Sequence, residues 1–269
     1  AWLEARQWKR RRTLRVFLYV LEGLFYLGAF VAWLDKDLDE FSLISLAFFW
    51  PVAVLIVLGK ASGIFGVERS RQTLDVLLTT PVATSELLNQ KMAGVRLLIR
   101  SLVLRFLLLA ILAALGQSQR RYSNGQPVVI AIGSVVATAA IYLPMLAWLA
   151  TLFSLRAKTP ARALVQSVVT LVVWCLGPVM LVGGCLAMSN GGFGGSEEAL
   201  LAFFGPVLSP LLMPILSIVA FVDGDPFDDG FIAVLIWNSL VYFGALCIFR
   251  GSCQTHSDEW LDRLPERVR

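Results

Sequence analysis

Six long apolar runs constrain this chain more than any other feature: 14–34, 41–58, 97–115, 128–153, 164–188 and 231–249. A bilayer core of about 30 Å takes roughly 20 apolar residues in helical form. Lipid offers no partner for free N–H and C=O groups, so segments of this kind must close their hydrogen bonds internally as helices. The alternation of a membrane barrel is absent. Only 16% of residues are charged and 57% are hydrophobic, where a water-soluble domain carries about a quarter charged. The expected fold class is therefore an all-α membrane protein with six transmembrane helices. The whole chain, 1–269, reads as a single transmembrane domain.

The distribution of charge sets the orientation. With the N-terminus placed in the cytoplasm and loops assigned alternately, 20 of the 23 Lys and Arg residues fall on the cytoplasmic side, in 1–15, 60–105, 154–163 and 250–269. The other side keeps Lys36, Arg120 and Arg121, together with acidic loops around Asp35–Glu40, Glu197–Glu198 and Asp223–Asp229. This is the positive-inside pattern. It predicts a multi-pass protein of the plasma or inner membrane with both termini cytoplasmic.

The apolar stretch 199–222 sits between two acidic loops and carries Pro206, Pro210 and Pro214. Each proline removes a helical hydrogen bond. The expectation is a re-entrant helix pair that enters from outside and returns, buried against protein as such backbone must be. The alternative is a seventh, kinked span. A kink is also expected at Trp50-Pro51 in the second run.

Little in the composition suits catalysis. The one histidine, His256, lies in a polar tail, and the cysteines (Cys175, Cys185, Cys247, Cys253) lack paired metal spacing. Three of these lie in or beside apolar runs and read as small core residues. An intramembrane hydrolase would need a nucleophile and a base, yet the runs hold no His and no matched Asp pair. The chain is therefore not expected to be an enzyme, nor to bind metal or cofactor itself. It opens at Ala1, so a short N-terminal piece is expected to be missing. Nothing resembles a cleavable signal peptide.

The most informative polar stretch lies between the second and third runs, within 60–92. From Gly66 it reads Gly-Val-Glu-Arg-Ser-Arg-Gln-Thr-Leu-Asp-Val-Leu-Leu-Thr-Thr-Pro, then Val-Ala-Thr-Ser-Glu-Leu-Leu-Asn-Gln-Lys to Lys91. Val67, Leu74, Leu77 and Leu78 share one helical face, and Pro81 ends that helix. Thr84 or Ser85 can cap a second one, with Glu86 in its first turn favourable to the helix dipole. Two short amphipathic helices meeting at a corner are expected.

The pattern Glu-Arg-x-x-x-Thr-Leu-Asp-x-Leu-Leu-x-Thr-Pro, followed by Glu-Leu-Leu-x-x-Lys, resembles the permease subunits of type-2 ATP-binding-cassette (ABC) exporters. The resemblance implies that Glu68, Arg69, Thr73, Leu74, Asp75, Leu77, Leu78, Thr80, Pro81 and Glu86 form the coupling helix and its corner, which dock on a separate ATPase subunit. It also implies that the basic segment 1–13 is an interfacial connecting helix and that 199–222 are the external re-entrant helices. The expected function is the translocation path of an exporter, formed with a second permease chain in a homo- or heterodimer. A non-transporting membrane scaffold or signalling partner of such an ATPase is the alternative. No nucleic acid is expected among the partners.

The motor itself is expected elsewhere. A phosphate-binding loop needs Gly-x-x-x-x-Gly-Lys-[Ser/Thr], and the nearest string, Gly59-Lys60-Ala61-Ser62, has Val54 in place of the first glycine and Ala61 in place of the hydroxyl. ATP and Mg would be held by the partner ATPase.

Two charges fall inside the runs. Glu22 and Arg105 both count to ~12 Å from the cytoplasmic side. An unpaired charge at mid-membrane costs about 2.5–3.5 kcal/mol on insertion scales, so a Glu22–Arg105 pair is one expectation. Snorkelling of Arg105 and contact of Glu22 with a water-filled path are the others. Arg96 and Arg100 mark the headgroup level. In the tail 251–269, Ser257-Asp258-Glu259 before Trp260 reads as a capped short amphipathic helix.

Overall fold

The computed structural model describes residues 28, 38–70, 84–118, 126–157, 159–188 and 229–260. These form five long helices and one short one: α1 Leu38–Ser70, α2 Thr84–Ser118, α3 Gln126–Arg156, α4 Pro160–Met188, α5 Asp229–Thr255 and α6 Ser257–Trp260. The chain is all-helical among the described residues. Among the described residues four stretches are long and apolar enough to cross a membrane: Phe48–Gly66, Ile132–Arg156, Pro160–Gly177 and Leu235–Ser257. The apolar run 14–34, the segment 1–13 and the stretch 199–222 lie outside the described residues, Gly28 excepted. Within α2 the arginines Arg96, Arg100 and Arg105 interrupt the apolar surface.

The helices outrun the apolar runs that seeded them. α1 continues from the apolar run 41–58 through Ser70, and α2 begins at Thr84, thirteen residues before Leu97. Where two short helices were expected, the described parts of the stretch are the last turns of α1 and the first turns of α2. The reason is cooperative: starting a helix is costly, while adding a residue to an existing one closes a further hydrogen bond. Nor do the prolines end helices here. Pro51 lies inside α1 and Pro144 inside α3, as membrane helices allow when neighbours cover the freed backbone.

α3 is the centre of the bundle. It packs against α1, α2, α4 and α5, whereas α2 and α5 scarcely meet. Its membrane-length stretch is 67% buried, against 11% for that of α5. Small residues make this closeness available: Ala139, Ala147, Ala150, Ser134, Thr138 and Ser154 are all buried on α3. Without a hydrophobic force between helices in lipid, close packing of this kind is what holds them together. Thr138 and Thr151 turn their hydroxyls back to the carbonyls of Ser134 and Ala147, at 2.6 and 2.7 Å, so neither is left unpaired. The outward faces stay apolar, with Val165, Val169, Val173 and Leu176 exposed on α4 and Ile236, Leu240 and Phe243 on α5. Cys175 and Cys253 are buried, while Cys247 faces outward and is not a core residue.

Candidate functional site

The end of the bundle that carries Arg156, Arg162 and Arg250 joins α1, α3, α4 and the tail. Three contacts lock it. The Phe65 backbone N–H donates to Ser154 Oγ at 3.2 Å. One turn nearer the centre of α3, Thr151 Oγ lies 3.4 Å from the sulfur of Met92 on α2. Gly66 lies so close to α4 that a β-carbon there would come within 2.8 Å of Pro160 Cα and N. Only a residue without a side chain permits that approach.

α4 starts at this point for local reasons. Thr159 is its N-cap: its Oγ accepts from Arg162 N–H at 3.4 Å and its carbonyl from Ala163 N–H at 3.2 Å. Pro160 occupies the first helical position, where its missing N–H costs nothing and its φ is already set.

The tail folds back on the same end. The Trp260 ring stacks on His256 at 5.3 Å and lies under the Arg156 guanidinium at 4.3 Å. Ser257, expected as a cap, donates its hydroxyl to the Gln254 carbonyl at 3.1 Å and so ties α6 to the last turn of α5. A cation over an indole ring contributes about 0.5–1 kcal/mol at an exposed site. Trp260→Ala is therefore expected to loosen the tail and speed hydrogen exchange of the backbone N–H at position 260, which donates to the His256 carbonyl at 3.0 Å, up to about fivefold. An unchanged exchange rate would show that the clasp contributes nothing.

Of the residues assigned to coupling, Glu68 and Arg69 lie in the last turn of α1, continuous with the membrane stretch that ends at Gly66. Their side chains, and Thr73, Leu74, Asp75, Leu77, Leu78, Thr80 and Pro81, lie outside the described residues. Glu86 is exposed in the first turn of α2, where its carboxylate accepts from Gln90 Nε2 at 3.3 Å. Arg105 is half-buried on α2 and takes part in an interaction there. Glu22 lies outside the described residues, and the pairing expected between the two lies there with it.

A second cluster was missed by the sequence reading. Deep in the bundle, Tyr142 Oη donates to Asn238 Oδ1 at 2.6 Å, linking α3 to α5. The Tyr242 ring lies 4.3 Å from that of Tyr142 and stacks on Trp174 at 5.8 Å. Trp50 of α1 meets both Tyr142 and Phe106 edge-on. Its Nε1–H is buried and has no hydrogen-bond partner among the described residues. The available signal was Asn238, a lone amide in the apolar run 231–249.

Comparison of the chain with protein-family models, with curated proteins and with solved structures returned no match.

Proposed function

We propose that this chain is the membrane-spanning subunit of an ATP-driven exporter, taking its force from a separate ATPase. The observation that carries the reading is the Glu-Arg-x-x-x-Thr-Leu-Asp-x-Leu-Leu-x-Thr-Pro pattern beginning at Glu68, on the helix that leaves the membrane stretch of α1. The continuity of α1 from Phe48 to Ser70 supports it, because a push on the far end of one helix travels along its hydrogen-bonded axis. The contact of Gly66 with Pro160 and the bond from Phe65 to Ser154 give that push two exits, into α4 and α3.

On this reading Leu77 and Leu78 insert into a groove of the ATPase, and nucleotide-driven closure of two such ATPases shifts the helices of two permease chains. The layout is then six spans with an interfacial segment at 1–13 and re-entrant helices at 199–222. Sequestered apolar side chains at the centre of an interface carry most of its energy. Purification of the tagged chain from its native membrane is expected to bring with it an ATPase bearing a phosphate-binding loop. The Leu77→Asp, Leu78→Asp variant, still inserted, is expected to lose that companion by more than about tenfold. Retention of the companion by the variant, or none with the unaltered chain, would count against the exporter reading.

A further inference from the structure

α2 and α5 both pack on α3 yet scarcely meet, which leaves an open groove of about 570 Å³ between them. The volume is within the range of about 300–1,000 Å³ typical of small-molecule sites. Its floor is a stripe of α3, formed by Ala140, Pro144 and Trp148 at four-residue steps. Its lining is chemically divided along its length. Arg96, Arg100 and Arg250 line one end, while Leu104, Leu107 and Ala140 line the other. No acidic side chain is among the described residues that line it.

The three helices order these residues consistently. α2 runs in the opposite sense to α3 and α5: Met92 meets Thr151 while Phe106 and Tyr142 both meet Trp50, and Tyr142 meets Asn238 while Trp148 meets Cys253. Going into the bundle, α2 therefore presents Arg96, Arg100, Val103 and Leu107, while α5 presents Arg250 and then Leu246, and α3 presents Trp148 and then Ala140. From Arg96 to Leu107 the wall is ~16 Å long. Arg96 is held in place by donating from Nη2 to Asn89 Oδ1 at 3.0 Å.

We propose that this groove binds one anionic phospholipid from the leaflet on the side of the chain's basic loops. The headgroup phosphate lies among Arg96, Arg100 and Arg250, and an acyl chain runs down the apolar wall over Pro144. Guanidinium groups recognise phosphate oxygens through paired, charge-assisted hydrogen bonds. Basic pockets between membrane helices on that side are suited to acidic headgroups. The apolar end favours a lipid over a free anion, since it gives phosphate alone nothing to contact. A zwitterionic lipid gains the same apolar contacts but offers the arginines no net charge. The proposal holds whether or not the chain is an exporter.

The test uses the full chain in mild detergent, with phosphatidylglycerol and phosphatidylcholine carrying the same bromine-labelled acyl chains. Bromine quenches indole fluorescence at contact, and the difference between the unaltered chain and Trp148→Phe isolates the groove floor. Quenching of Trp148 is expected at roughly tenfold lower phosphatidylglycerol than phosphatidylcholine. Arg100→Gln with Arg250→Gln is expected to weaken phosphatidylglycerol by on the order of 25-fold and leave phosphatidylcholine unchanged. Equal quenching by the two lipids overturns the proposal. So does displacement of the phosphatidylglycerol by millimolar inorganic phosphate, which would mark a free-anion site. Should the double variant fail to fold, the comparison of the two lipids on the unaltered chain still decides.

Discussion

Gly66→Ala is expected to destabilise the bundle by about 1–3 kcal/mol, the usual range for overpacking a close contact. The added β-carbon would lie 2.8 Å from Pro160 Cα and N and 3.0 Å from Pro160 Cβ. Two of these are backbone atoms of a capped helix start, so no side-chain rotation relieves the clash. α1 and α4 must move apart, and the bond from Phe65 N–H to Ser154 Oγ next to it is strained at the same time. The measurement is the unfolding midpoint in detergent, with Gly94→Ala as the control. Gly94 has open space where a β-carbon would go, and replacing a mid-helix glycine there should raise stability by up to about 1 kcal/mol. Equal midpoints for the two variants would remove the Gly66–Pro160 contact from the account. On the proposed function, Gly66→Ala should also uncouple: ATPase binding persists, while its stimulation in reconstituted vesicles falls.

Tyr142→Ala is expected to be still more damaging, at about 3–5 kcal/mol for loss of a large ring from a packed interior. Tyr142 is 1% exposed and touches Trp50, Tyr242 and Asn238, which come from two other helices. Tyr142→Phe separates the hydroxyl from the ring. It removes the 2.6 Å bond from Tyr142 Oη to Asn238 Oδ1, a loss of about 0.6–1.7 kcal/mol for interhelical hydrogen bonds in membranes. A double-mutant cycle with Asn238→Ala should recover a coupling of that size. Additive effects would show that the 2.6 Å bond contributes nothing beyond packing.

Hydropathy located the helices because it reports where lipid must be met. The runs 41–58, 97–115, 128–153, 164–188 and 231–249 each lie within one of α1 to α5. It could not find the ends, since α1 runs on to Ser70 through residues whose backbone needs no lipid to stay helical. Nor could it find the partners. A helix apolar all round gives no sign of which face turns inward. Thus Phe65 with Ser154, Trp148 with Cys253 and Tyr142 with Asn238 are separated by 89, 105 and 96 residues and carry no shared pattern. Arg96 and Arg100, four residues apart, were legible as a pair on one helix, but Arg250 joins them only through the gap between α2 and α5. Of the residues that the resemblance assigns to coupling, Glu68 and Arg69 fall at the end of α1 and Glu86 at the start of α2. The segment from Thr73 to Pro81, where a corner was expected, lies outside the described residues.

The central position of α3 bears on how such a bundle can change shape. Among the described residues every other long helix rests on it, and α2 and α5 on its two flanks hardly touch. α5, which rests mainly on α3, can therefore swing on its own strip of that surface with α3 standing as a mast, whereas a slide of α1 carries α2 and α4 with it. Interior replacements along α3 should jam every such movement together, whereas changes on the outer side of α5 disturb only what comes alongside it.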